Sequence, residues 1–223
     1  MKIIVTGAAG FIGFHTCLKL IKENFTVIGI DNINNYYDIN LKKNRIKDLK
    51  KNKKFFFYKV DLSNYKKLNN IVKNEKIKII IHLAAQAGVR YSINKPRTYF
   101  KSNLEGFFNV LEISRHNNIK HLIYASTSSV YGDSKKFPLS EINRTDKPLS
   151  FYAATKKSNE VMAHSYSYIY KLPCTGVRFF TVYGPFGRPD MALFKFTKQI
   201  LNNQPIDLYN KGNHFSDFTY VDD

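Results

Sequence analysis

Tyr152 and Lys156 stand four apart in the run Tyr152-Ala153-Ala154-Thr155-Lys156, a spacing that puts both side chains on one face of a helix. A phenol normally holds its proton up to about pH 10. An ammonium beside it favours the phenolate, so a tyrosine in such a pair is expected to have a lowered pKa and to serve as a general base near neutrality. The same spacing also suits a plain surface contact. A second group narrows the choice. Ser126-Thr127-Ser128-Ser129 follows the apolar stretch His121–Ala125, and hydroxyls at the carboxyl end of a strand in an open α/β sheet stand where ligands bind. They suit a sugar hydroxyl held beside a tyrosine, or a polar strand end that caps the next turn.

A third group could hold a dinucleotide. Val5-Thr6-Gly7-Ala8-Ala9-Gly10-Phe11-Ile12-Gly13 follows one apolar run and opens an amphipathic one. A turn this tight needs positions without Cβ, so that backbone N–H groups and a helix N-terminus approach a pyrophosphate, and Gly13 lets the helix pack close to the sheet. Asp31 ends the next apolar run, 24 residues beyond Gly7. A carboxylate there accepts from the adenosine ribose hydroxyls and repels a 2′-phosphate, which favours NAD over NADP. Asp61-Leu62 reaches the adenine edge or caps the helix that follows.

The elements that must position these groups alternate along the chain. Lys2–Thr6, Thr26–Ile30, Lys54–Lys59, Ile77–His82, His121–Ala125 and Pro173–Arg178 read as strands that are apolar on both faces, as in a buried parallel sheet. Gly10–Glu23, Asn40–Lys51, Tyr65–Asn74, Arg97–Asn117 and Phe151–Lys171 read as helices. Such alternation predicts an α/β fold, a Rossmann-like doubly wound parallel sheet, over residues 1–181. After Arg178 the pattern changes. Gly184-Pro185 and Arg188-Pro189 mark loops, Ala192–Leu201 a helix, Ile206–Tyr209 a short strand and Asn213–Val221 an extended segment. Residues 182–223 thus read as the start of a smaller C-terminal substrate lobe, incomplete at Asp223.

Composition sets the outer bounds. Apolar residues make up 43% and charged residues 23%, the balance of a globular protein. No run reaches the roughly 18 apolar residues of a membrane helix, and the glycine turn follows Met1 too closely for the apolar core of a signal peptide. Cys17 and Cys174 are the only cysteines, so no disulfide framework or metal site is expected and a reducing cytoplasm is. The net charge of +18 is densest between Leu41 and Lys54. No nucleic-acid motif accompanies it, so it is read as a solvated helix face whose field helps gather an anionic substrate, with no nucleic-acid partner expected.

Gly7–Gly13, His82-Leu83-Ala84-Ala85, Ser126–Gly132 and Tyr152–Lys156 together resemble the extended short-chain dehydrogenase/reductase family of sugar-nucleotide epimerases and dehydratases, over all 223 residues. The resemblance implies an NAD cofactor lying along Gly7, Gly10, Phe11, Ile12, Gly13, Asp31, Asn32, Asp61, Leu62, Leu83, Ala84, Ala85 and Asn103. It implies Tyr152 as base, Lys156 on the nicotinamide ribose, and Thr127 on the sugar's 4-hydroxyl. It also implies a homodimer. Narrower segments are similar to UDP-glucuronate 4-epimerases: Asp31-Asn32 through Tyr36-Tyr37-Asp38, Gln86 to Ser92 with Arg90, and Arg178 to Pro185 running into Gly187–Ala192. In those enzymes Ser128, Ser129, Thr181 and Arg188 would hold the substrate carboxylate, which needs several donors in a dry site. The reaction implied is a closed redox loop through a 4-keto sugar.

One residue departs from that family's pattern, since Ser216 stands where relatives carry an arginine that contacts UDP. The same scaffold also serves UDP-galactose 4-epimerases, UDP-glucuronate decarboxylases and 4,6-dehydratases. A dehydratase usually carries an Asp-Glu pair after the threonine, where this chain has Ser128-Ser129. A truncated NAD-binding remnant without turnover is the reading from another class.

Overall fold

The chain has been described as a computed structural model for residues 1–134, 136–206, 208–212 and 216–223. Its strands are β1 (Lys2–Thr6), β2 (Thr26–Asp31), β3 (Phe55–Lys59), β4 (Ile79–His82), β5 (His121–Thr127), β6 (Cys174–Phe179), β7 (Thr181–Tyr183) and β8 (Phe218–Tyr220). The first six form one sheet in the order β3-β2-β1-β4-β5-β6, with every neighbouring pair parallel. The order reverses between β1 and β4, the switch point at which such sheets bind ligands.

Side chains alternate along each strand, so consecutive residues feed opposite layers. Ile4, Ile28, Ile80 and Leu122 pack with α3 (Tyr65–Asn74) and α6 (Gly106–His116) through Leu68, Val72, Val110 and Leu111. Val5 and Val27 pack on the other face against α1 (Phe11–Lys22) and α2 (Ile39–Leu49) through Phe14, Cys17 and Leu49. Helix α7 (Phe151–Tyr170) starts at Ser150, whose side chain accepts from Ala153 N, a hydroxyl N-cap.

The structure corrects several sequence expectations. The stretch read as one helix, Arg97–Asn117, is α5 (Pro96–Tyr99), a wide π segment (Phe100–Glu105) and then α6. A short helix, α4 (Val89–Asn94), and a 3-10 turn (Ser128–Tyr131) carry no periodicity long enough to reveal them. The basic stretch is not wholly a solvated face: α2 turns Lys42 and Arg45 inward, and Arg45 is completely buried. The expected strand Ile206–Tyr209 is absent among its described residues, because Tyr209 opens a 3-10 turn (Tyr209–Gly212); position 207 lies outside the described residues. The extended reading of Asn213–Val221 is met at β8, which pairs in parallel with β7 in a separate two-stranded sheet; residues 213–215 lie outside the described residues. Helix α8 (Ala192–Leu201) is met but buries none of its residues. No helix among the described residues is long and apolar enough to cross a membrane.

Candidate active site

A cleft of about 920 Å³ opens along the carboxyl ends of the strands. At one end lies the glycine turn. Gly7 has φ of +74°, and a Cβ there would stand 2.8 Å from Ala84 N; only glycine meets both demands. A Cβ on Gly13 would stand 2.0 Å from Gly7 O. The missing Cβ at Gly13 lets α1 lie directly against the residues that end β1. No side chain caps the start of α1, so its orphan N–H groups remain for an anion. The Asp31 carboxylate accepts from Ala9 N (3.1 Å) and Ile33 N (2.7 Å). Burial pushes its pKa up, although these bonds and the charges of Lys42 and Arg45 oppose that. Asp61 accepts from Asn32 Nδ2 (2.9 Å) and Ser63 N (3.0 Å). Burial would raise its pKa, but these bonds outweigh it and hold the carboxyl low. The N-cap of α3 is Asn64, so the capping alternative for Asp61 falls away.

Thr127, Tyr152 and Lys156 all line the cleft. Tyr152 is raised by burial, while a hydrogen bond with the Thr127 side chain and the charge of Arg188 pull it back. This corrects the expected lysine-driven lowering. Lys156 is buried, donates from Nζ to Ala125 O at 2.9 Å, and is itself lowered to about 8 by burial. Arg188 is the cation whose charge favours the ionised form of Tyr152 here.

Arg188 is no surface loop residue. Its Nε and Nη2 donate to Asp190 at 3.0 and 2.5 Å, and Tyr36 OH donates to the same carboxylate at 2.9 Å. Ser128, Ser129, Thr181 and Arg90 line this end. Thr181 Oγ1 stands 2.7 Å from Ser216 Oγ. Of the four hydroxyls at the carboxyl end of β5, Ser126 is engaged elsewhere, donating to Glu160 at 2.6 Å.

The cleft gathers every expected site residue except Asn103. Asn103 is buried in the π segment, where Oδ1 accepts from Gln86 N (2.8 Å) and Nδ2 donates to Gln86 O and Thr155 Oγ1 (both 3.0 Å). These bonds brace the stretch at Gln86, which lines the cleft. His82 likewise lies behind the wall, 2.9 Å from Thr6 Oγ1 and lowered to about 3 by burial. Tyr36, Lys42, Gln86 and Asp190 line the cleft and were not singled out. Their one sequence signal is membership of the segments Asp31–Asp38, Gln86–Ser92 and Gly187–Ala192; Lys42 had none, being one lysine in a run of them.

Sheet order, glycine turn and cleft are those of a Rossmann-like protein. The chain belongs to the NAD dependent epimerase/dehydratase family, whose model matches residues 3–223. It is 60% identical over 223 residues to Protein CapI of Staphylococcus aureus, covering 100% of this chain and 66% of that protein. It is 50% identical to a probable UDP-glucuronate 4-epimerase of Rhizobium meliloti, covering 100% of this chain and 65% of that one. The crystal structure of UDP-glucuronic acid 4-epimerase from Bacillus cereus, in complex with UDP-glucuronic acid and NAD, superposes with a TM-score of 0.94 at 39% identity over 100% of this chain and 70% of that one. The chain thus spans about two thirds of the length of these relatives.

Proposed function

We propose that this chain binds NAD and that the protein it represents inverts C4 of UDP-glucuronate, giving UDP-galacturonate through a 4-keto sugar. The observation that carries the reading is that Thr127, Tyr152 and Lys156 line the same cleft as the glycine turn. Similarity to relatives and a neighbour with this activity in their names supports it.

The residues suit the dinucleotide. Gly7, Gly10, Phe11, Ile12 and Gly13 leave backbone room for a pyrophosphate; Asp31 and Asn32 would take the adenosine ribose, and Asp61 and Leu62 the adenine. Asp31 keeps lone pairs beyond its two backbone bonds and would disfavour a 2′-phosphate. Leu83, Ala84 and Ala85 would line the nicotinamide half. When bound, NAD supplies the hydride acceptor and donor for C4.

This chain's residues do the rest. Tyr152 takes the 4-hydroxyl proton and later returns it, with Thr127 orienting both hydroxyls. Lys156 spends one N–H on Ala125 O and keeps two donors for a ribose. Arg188 favours the phenolate and, with Ser128, Ser129 and Thr181, offers donors to the sugar carboxylate. Holding that carboxylate discourages loss of carbon dioxide from the β-keto acid. Arg90 would bind at the rim. We further propose the division into a dinucleotide domain (1–181) and a substrate lobe beginning at 182, assembly as a homodimer, a cytoplasmic setting and no nucleic-acid partner.

The test is to incubate the purified chain with NAD and UDP-glucuronate and analyse the sugar released. Galacturonate is expected. A pentose would make the protein a decarboxylase, and turnover surviving Tyr152→Phe would remove the base assignment.

A further inference from the structure

Arg45 is completely buried, and among the described residues no carboxylate lies within ion-pair distance of it; Asp31 feels its charge from further off. Its two terminal nitrogens point to different parts of the chain, while Nε has no hydrogen-bond partner among the described residues. Nη1 donates to Ala9 O at 2.8 Å, inside the glycine turn, and to Tyr37 OH at 2.7 Å. Nη2 donates to Phe186 O at 2.5 Å and Gly187 O at 3.4 Å, in the loop that carries Arg188 and Asp190. The planar guanidinium suits this, since its donors sit in a fixed fork. A buried cation without a carboxylate must be solvated by dipoles, so the two segments whose carbonyls solvate Arg45 hold one another in register. Two further contacts fasten the same loop: Phe14 packs edge-on to Phe186 at 5.2 Å between ring centres, and His15 Nε2 lies 2.9 Å from Pro185 O. Phe186 has φ of 57°, a region that costs a non-glycine residue free energy and persists where the surroundings over-determine it. Its carbonyl on Arg45 and its ring on Phe14 do that here.

We propose that Arg45 is a positioning residue: its fork docks the 184–191 loop onto the glycine turn, and the aim of Arg188 at the substrate's anionic group depends on that docking. Arg45 itself touches no substrate. The proposal rests on the functional reading above for the identity of the substrate, though not for the docking.

The experiment compares the parent chain with Arg45→Met, Arg45→Lys and Phe186→Ala. The first readout is limited proteolysis of the ligand-free protein, with cut sites mapped by mass. Cleavage within residues 184–191 should accelerate by about tenfold in both Arg45 variants, the order of one charged hydrogen bond lost. Lysine should fail to rescue, because it keeps the charge but lacks the fork. The second readout is calorimetric titration of the NAD-loaded protein with UDP-glucuronate and, separately, with UDP. Preference for UDP-glucuronate over UDP should fall by about tenfold, because only the carboxylate needs Arg188. Phe186→Ala, which loosens the loop with Arg45 intact, should show the same two changes in milder form.

Parent-like protection and preference in both Arg45 variants would overturn the proposal. So would full rescue by lysine, or cleavage confined to Phe186→Ala. If Arg45→Met does not melt cooperatively, the lysine variant decides. If the parent binds neither NAD nor UDP-glucuronate, the functional reading fails, and the ligand-free proteolysis still decides the docking.

Discussion

On the wall of the cleft formed by the glycine turn, the turn is closed by contacts from backbone to backbone. Gly7 N donates to Ile30 O at 2.7 Å, Gly10 N to Gly7 O at 2.8 Å and Phe14 N to Gly10 O at 3.0 Å. On the opposite wall the contacts start from side chains and reach groups far away in sequence. Tyr36 reaches Asp190 across 154 positions, and Arg45 reaches Phe186 across 141. The first wall is a shape that the backbone makes for itself, and it fails chiefly when an atom is added. The second is a network of particular side chains, and it fails when one is removed. The two walls therefore call for opposite kinds of substitution.

The largest effect is expected from adding bulk to the first wall. In Gly13→Val the new Cβ begins 2.0 Å from Gly7 O, and neither group is a flexible side-chain end. NAD affinity should fall by at least about a hundredfold, with stability lowered by roughly 3 kcal/mol or more. Titration with NAD and a thermal melt measure both, and unchanged NAD binding would refute the account of the turn.

Removal from the second wall should be milder and more selective. Arg188→Met strips the cleft of the cation that pulls Tyr152 back towards ionisation. UDP-glucuronate affinity should drop by about ten- to a hundredfold, the range for a charged hydrogen bond, while NAD affinity stays put. Losing a cation raises a phenol's pKa, so the pH at which turnover reaches half its maximum should move upward. A downward shift would show that Arg188 does not act on Tyr152. Asn103→Leu tests the bracing behind both walls: leaving Gln86 N and O unpaired should cost roughly 1–3 kcal/mol of stability, read as a lower Tm, with NAD affinity little changed. A large loss of NAD binding without loss of stability would return Asn103 to the cofactor.

How much of this was legible in the sequence follows the same division. The glycine turn, β1, α3 and α8 announce themselves because their signals are local: a φ only glycine tolerates, a short apolar run, or a 3.6-residue period. Thr127, Tyr152 and Lys156 were found through spacing and resemblance, and the structure brings them together. The electrostatics were misjudged because spacing shows which groups are near and says nothing of desolvation, which here governs both Tyr152 and Lys156. Arg45 and Lys42 were hidden in a lysine-rich run whose buried members differ from the solvated ones only by helical phase. The turned-in position of Asn103 was not legible, because a π segment displaces side chains from the phase a regular helix would give them.

A change of pH isolates Lys156. The residue titrates at 10.5 when free and at about 8 in the fold, where burial penalises the charged form. Between those values the unfolded chain holds a proton that the native chain has released, so stability rises with pH through that window and is level on either side as far as this group is concerned. Lys156→Met has no such contribution. The parent's Tm relative to that variant should therefore climb between about pH 8 and pH 10 by several degrees, given roughly 2–4 °C per kcal/mol in a chain of this size. Taking the difference cancels the titration of every tyrosine the two proteins share. If Lys156 were instead paired with a phenolate, its folded pKa would lie above 10.5 and the difference would slope downward at high pH. The sign of that slope thus decides which of the two cations near Tyr152 acts on it.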